Sequence, residues 1–153
     1  MTTFAEAEKD LLAEVEGRIV DLVPEIESHL RFLHRTDKEI AMSAFEDQTG
    51  RGRLFEIFNG QEIDAYVYRG SDTRGLKYSY DIKFWYPYTK RWDRAANSDC
   101  EAIRHDLIVN HTSVTGVQYR MLDPEQQYDF GEPEDDWRIV TLPLIVYYDV
   151  AST

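Results

Sequence analysis

With 153 residues, 42% of them hydrophobic and 13% aromatic, the chain has the length and composition of one folded domain covering residues 1–153. Asp and Glu (29) outnumber Lys and Arg (17), giving a formal net charge of −12, opposite in sign to that of a protein that grips the backbone of DNA or RNA. No apolar run approaches the roughly 20 residues of a membrane span, and a single cysteine excludes an internal disulfide. These features predict a protein that folds in the cytoplasm and has no membrane partner.

The N-terminal segment predicts an amphipathic helix over residues 3–23. Thr3 and Glu6 have the spacing of a capping box, in which two side chains satisfy the free amides of a helix start. Apolar residues then recur every three or four positions, and Pro24 ends the pattern. The connection at 24–53 is less regular: Ile26, Leu30 and Leu33 predict a second short helix, and 46–53 an exposed loop.

From Leu54 the hydrophobic period changes to that of strands. Asn59-Gly60 lies between two apolar runs and predicts a tight hairpin turn, because both residues tolerate a positive φ. The segment 75–88 alternates: even positions from Leu76 to Tyr86 are apolar, and the odd positions between them are polar except for Trp85. This pattern predicts a strand with one face in a core and the other against something else.

The C-terminal half predicts one helix and two further strands. Ser98 and Glu101 fit a second capping box, and an apolar stripe follows it. The stretches "TGVQYRML" and "DWRIVTLPLIVYYDV" predict strands, separated by the long acidic loop "DPEQQYDFGEPEDD". Pro143 cannot donate a ladder hydrogen bond, so the last strand is expected at a sheet edge or to contain a bulge.

This order of elements predicts an α+β fold. We expect a mainly antiparallel, four- to five-stranded sheet with two or three helices packed on one face, and a core formed by residues 54–150.

The sequence gives only weak evidence for a catalytic or metal-binding site. His105-Asp106 and the carboxylates at 132–136 lack the spacing of a metal-ligand set, and Glu56 and Glu62 are ordinary neighbours of a turn. Cys100 lies on an apolar stripe without a catalytic partner. The sequence therefore predicts no catalytic residue, no metal ligand and no cofactor. A small metal-dependent hydrolase and an adaptor that binds a peptide along a sheet edge remain the alternatives from other classes.

Surplus aromatic residues are the more informative signal. Tyrosine and tryptophan provide large, stiff contact area and are enriched where proteins meet proteins. The sequence predicts a subunit interface formed by the following aromatic residues, with Trp92 placed in a loop: Tyr66, Tyr68, Trp85, Trp92 and Trp137.

The strand "YDIKFWYP", the capped helix, Tyr119-Arg120, the acidic run 132–136 and the closing "VYYDV" resemble the tail terminator proteins of tailed bacteriophages. The pattern is most similar to the minor tail protein U group of lambda-like phages, over residues 54–150. The longer connection at 24–53 departs from that pattern and keeps another neck component, a tail-completion or head-closure protein, as an alternative.

The resemblance implies a ring, most often of six copies, at the tail–neck junction of the virion. Its implied partners are further copies of the chain, the tail tube protein and the head–neck connector proteins, and DNA passes through without specific binding. Like charge keeps DNA from adhering to an acidic channel wall. The candidate channel residues are Asp72, Glu132, Glu134, Asp135 and Asp136. Arg120 and Arg138 are the alternative partners of the acidic run at a subunit boundary.

Overall fold

In a computed structural model, which describes residues 2–26, 28, 31–35, 53–67, 72–87, 92–122, 127–129 and 137–151, six strands form one mixed sheet. Two helices pack on it, so the predicted α+β class is confirmed. The helices are α1 (Phe4–Asp21) and α2 (Trp92–Ile108). The strands are β1 (Phe32–His34), β2 (Arg53–Val67), β3 (Thr73–Pro87), β4 (Val117–Leu122), β5 (Gln127–Asp129) and β6 (Trp137–Ala151).

The strand order is β1-β2-β3-β6-β4, and β5 also pairs with β6. At the centre, β3 and β6 run antiparallel from Thr73 opposite Ala151 to Pro87 opposite Trp137 without a register shift. Only β1 and β2, among the described strands, pair in parallel. The sheet therefore has more strands than the four to five predicted, because the short β1 and β5 lie in segments that carry no strand pattern.

Helix α1 forms as the sequence predicts. The Glu6 amide donates to Thr3 Oγ1 at 3.3 Å, and the Thr3 amide donates to Glu6 Oε2 at 3.1 Å, which completes the capping box. At the other end, the Arg31 guanidinium donates to the carbonyls of Leu22 (3.0 Å) and Asp21 (3.1 Å). A cation here complements the negative end of the helix dipole. The buried stripe of α1 consists of Ala7, Leu11, Val15 and Ile19.

Helix α2 begins earlier than predicted. Its first residue is Trp92, so the capping box expected at Ser98 and Glu101 is wrong, and both residues lie inside the helix. The buried stripe already starts at Trp92 and continues through Ala95 and Ala96. Alanine has a high helix propensity but contributes little to a hydrophobic pattern in the sequence. Helix propensity and tertiary burial outweigh the local cap sequence.

The hairpin turn predicted at Asn59-Gly60 is also wrong, because β2 continues through both residues. The β2–β3 register shifts between Phe58 and Gln61, so a bulge absorbs the pair. A Cβ built on Gly60 would lie 2.5 Å from Cε1 of Tyr80. Glycine is therefore needed here to seat the Tyr80 ring against the backbone of the neighbouring strand.

Strand β6 is central, so the expected edge position is wrong. Pro143 lies opposite Asp81 of β3 on one side. On the other side, the β4 ladder ends at Leu144 and the β5 ladder begins at Thr141, so Pro143 falls between two short ladders. A missing amide is tolerated where the ladder is interrupted.

The connection at 24–53 contains part of the sheet. Leu33, expected in a short helix, lies in β1, and Arg53, expected in a loop, begins β2. Leu30 and residues 46–52 lie outside the described part of the chain. The helices α1 and α2 both bury their stripes against one sheet face, together with alternate residues of β3 and β6. Within the described ranges, no helix is long and apolar enough to cross a membrane.

Candidate interaction surface

The sheet face opposite the helices, called the outer face below, carries the odd-numbered residues of β3 and β6. Both helices in the described part of the chain pack on the other face. Registers between strands place the outer-face residues in rows that cross the sheet. The main members are Leu54, Glu56, Phe58, Lys77, Ser79, Asp81, Lys83, Trp85, Tyr119, Met121, Ile139, Thr141, Ile145 and Tyr147.

One end of the outer face is apolar and is largely covered by the chain itself. Trp85 packs with Leu54 in a small second core, and only 9% of its surface is exposed. The Arg35 guanidinium lies 4.5 Å from the centre of the Trp85 ring and is also paired with Glu56 at 3.1 Å. The Trp85 ring thus has a cation–π partner within the chain.

The other end of the outer face is a tyrosine row that remains open. Tyr119 of β4 stands opposite Tyr147 of β6, with ring centres 5.6 Å apart. Lys77 of β3 stands on the other side of Tyr147, and its ammonium lies 5.3 Å from the Tyr147 ring centre. Tyr119 is 55% exposed, although it is a large aromatic residue. This row offers stiff aromatic area beside a cation, the composition that protein interfaces favour.

The aromatic residues predicted for the interface are distributed unevenly. Trp85 lies on the outer face as predicted, but mostly covered. Trp92 begins α2 in the main core and is 8% exposed, so its predicted loop position is wrong. Tyr66 and Trp137 occupy strand positions opposite Gly75 and Pro87, with side chains outside the described set, and Tyr68 lies outside it altogether. Of the two predicted residues whose side chains are described, Trp85 lies on the outer face and Trp92 in the core on the other side of the sheet, and the exposed Tyr119 was not among those predicted.

The residues predicted to line a channel are mostly outside the described ranges. Asp72 is exposed at the residue before β3. Glu132, Glu134, Asp135 and Asp136 fall in the segment 130–136, which the description omits. Arg120 and Arg138, the alternative partners of that run, are both buried, and Arg120 is bound to Glu14 in a cluster within the chain.

That buried cluster, called the Glu14 cluster below, joins α1 to β4. The guanidinium of Arg120 donates to Glu14 Oε2 at 2.6 Å and to the Thr112 carbonyl at 3.3 Å. Arg18 also contacts Glu14, and the Thr112 amide donates to Glu14 Oε1 at 3.0 Å. Burial raises the pKa of Glu14, but the hydrogen bonds from Arg120, Arg18 and Thr112 outweigh it, and the pKa is lowered overall.

A second buried ion pair fixes α2 to the sheet. Arg53 Nε lies 2.8 Å from Asp99 Oδ2, and the Tyr86 hydroxyl donates to the same oxygen at 2.9 Å. The side chains of Arg53 and Asp99 are 1% and 0% exposed. Removing one partner of such a pair would leave the other charge buried without compensation, at a cost of about 3–5 kcal/mol.

A groove of about 560 Å³ opens where the C-terminal parts of the two helices meet. Arg18 Nη1 donates to Asp106 Oδ1 across it at 3.3 Å. Gly17 lines the groove, and a Cβ built there would meet no atom within 4 Å. Three valines at this end of the helix layer are strongly exposed: Val20 (41%), Val23 (60%) and Val109 (64%).

The residues considered for metal chemistry do not converge. Asp106 is bound by Arg18, while the exposed His105 contacts Asn110 and the exposed His111 contacts the Ile108 carbonyl. In the part of the chain that is described, no group of three or more His, Cys, Asp or Glu side chains is placed to hold a metal ion. Burial raises the pKa of the Cys100 thiol to about 12 and keeps it protonated at neutral pH.

A scan against protein-family models returned no match, and a search of curated proteins likewise returned none.

Proposed function

We propose that the protein is a structural subunit of a tailed phage: a tail terminator that forms a ring, caps the tail tube and joins it to the neck. The observation that carries this proposal is the outer face, whose tyrosine row remains open beside a sheet already packed by helices on its other side. The sequence resemblance over residues 54–150 supplies the family, and the surface supplies a place for contact between copies.

The dimensions of the outer face suit a protein contact. From the Trp85 row to the Lys77 row it extends eight residues, or about 26 Å at 3.3 Å per residue. From β2 to β4 it crosses three strand spacings, or about 14 Å at about 4.8 Å each. These lengths enclose about 360 Å², so side chains at the rim and neighbouring surfaces must supply the rest of the roughly 800 Å² per partner of a stable interface.

Charge supports the same use. The chain has a net charge of −12, yet the outer face mixes cations with acids: Lys77 and Lys83 alternate along β3 with Asp81. Lys83 lies 5.1 Å from the ring centre of Phe58, where part of its stem is packed on the sheet. In this proposal the acidic excess lies elsewhere on the ring, with Asp72 and the run 132–136 toward the DNA channel.

Light scattering and negative-stain microscopy of the purified chain test the proposal. We expect a ring with about six times the mass of the monomer, and dissociation in Tyr119→Asp, because this change puts an unpaired charge into the contact. The matched control is Thr115→Asp, which adds the same charge at an exposed turn. A monomeric wild-type chain would overturn the ring. If the Tyr119→Asp variant still forms the ring, the outer face is not part of the ring interface.

A neighbouring neck component would form its ring from the same surface. The two are distinguished by the partner: a terminator ring binds the end of a purified tail tube, and a head-closure ring binds the connector.

A further inference from the structure

We propose that the outer face of one copy docks on the groove at the helix ends of the next copy, so that the ring closes by a contact between two different surfaces. This inference rests on the proposed function and names the second surface that a cyclic assembly requires. In a closed ring of more than two copies, each subunit presents one surface to the neighbour on one side and another to the neighbour on the other side.

Exposed apolar area points to the groove as that second surface. Within the described ranges, five large hydrophobic residues are strongly exposed, and three of them are valines at the helix ends, of which Val23 lines the groove. Val20 and Val23 lie at the end of α1 and just beyond it, and Val109 directly follows α2. A fourth member of that exposed set, Tyr119, is on the outer face. The proposed contact therefore buries Tyr119 of one copy against Val23 of the next.

Gly17 gives an independent reason for close approach at the groove. A glycine inside a helix is less favourable than alanine, and here the missing Cβ relieves no clash within the chain. The helix backbone at Gly17 is open to the groove. Because glycine has no side chain, a side chain of a neighbouring copy can approach this backbone more closely than it could if any other residue stood here.

Charge complementarity selects a second copy of this chain as the occupant. The groove is lined by the exposed Asp21 and by Asp106, which is already paired with Arg18, and it adjoins the electronegative C-terminal end of α2, whereas Arg31 caps that of α1. The tyrosine row carries Lys77 beside Tyr147 on the other surface. Docking places this cation near the groove carboxylates, which orients the contact, and the aromatic and valine side chains supply its area.

The first test is Gly17→Gln. Because a Cβ at this position meets nothing in the chain, we expect the monomer to melt at the same temperature or higher while the ring dissociates. Ala5→Gln, an equivalent change at an exposed position near the start of α1, is the control and leaves the ring intact. A Gly17→Gln variant that forms normal rings overturns the docking mode.

The second test joins Val23→Cys and Tyr119→Cys in one chain, with Cys100 kept because it is buried. Treatment with a short bis-maleimide should give a covalent ladder up to the full ring, whereas either single variant should give no ladder. Dimers from Tyr119→Cys alone would show a symmetric contact and overturn the inference. A wild-type ring without a ladder overturns only this docking mode, while a wild-type monomer overturns the proposed function as well.

Discussion

Arg120 Nη1 lies 2.6 Å from Glu14 Oε2, so a residue of β4 is bound to the middle of α1 across 106 positions of sequence. The Arg120 side chain is 2% exposed and that of Glu14 13%. The Glu14 cluster thus fixes the helix layer on the edge of the sheet, at a distance from the apolar core beneath the centre.

Replacement of Arg120 by methionine should lower the free energy of unfolding by about 3 kcal/mol, because it leaves the Glu14 carboxylate partly buried without its main partner. Urea unfolding followed by circular dichroism measures this change. The control is Arg94→Met, since Arg94 is exposed on α2, and it should change stability by less than about 0.5 kcal/mol. Equal effects of the two variants would show that the Glu14 cluster contributes no stability.

The same cluster predicts a dependence on pH. The pKa of Glu14 is lowered from 4.5 in the folded state, so its ionised form contributes stability that is fully present above pH 4.5 and is lost as pH falls through the folded value. The stability difference between wild type and Glu14→Gln should therefore be constant from neutral pH down to 4.5 and shrink below it. Unfolding measured at a series of pH values tests this, and a difference that grows on acidification would contradict it.

Substitution by alanine should have opposite effects on stability at two glycines. Gly60→Ala should destabilise the chain by about 1–3 kcal/mol, because the new Cβ would overlap the Tyr80 ring within β2 and β3. Gly17→Ala should stabilise it by up to about 1 kcal/mol, because the methyl group meets nothing and the helix gains propensity. Thermal unfolding of the two variants beside wild type distinguishes these effects, and a neutral Gly60→Ala would show that Tyr80 moves aside at little cost.

Strands with a clear two-residue period were predictable. In β3 the even positions from Leu76 to Tyr86 lie on the helix side, as their alternation predicts, because a strand has only two faces to choose from. The turn at Asn59-Gly60 was not predictable in this way. Its local signal is strong, but the ring of Tyr80, 20 residues further on, occupies the space that Gly60 leaves.

The exposure of the aromatic residues depended on contacts that the sequence does not reveal. Trp85 is covered by Leu33 of β1, a parallel edge strand of only three residues, and by Arg35 directly after that strand. The strand that contains Tyr119 was predicted, but its exposed face was not, because the neighbouring Arg120, although charged, is buried on the helix side against Glu14. A buried arginine is recognised only when its carboxylate partner is known.

The position of β6 has a consequence for folding during synthesis. Its partners in β3 are separated from it by 50 residues at Pro87–Trp137 and by 78 at Thr73–Ala151. On the ribosome, β2 and β3 can pair as soon as they emerge. The position between β3 and β4 is filled only when β6, the last of the six described strands, has been made. Closing so large a loop is slow, and the half-formed sheet meanwhile presents the unpaired edge of β3 to other chains. Nascent chains are therefore most prone to aggregation in the interval before β6 inserts.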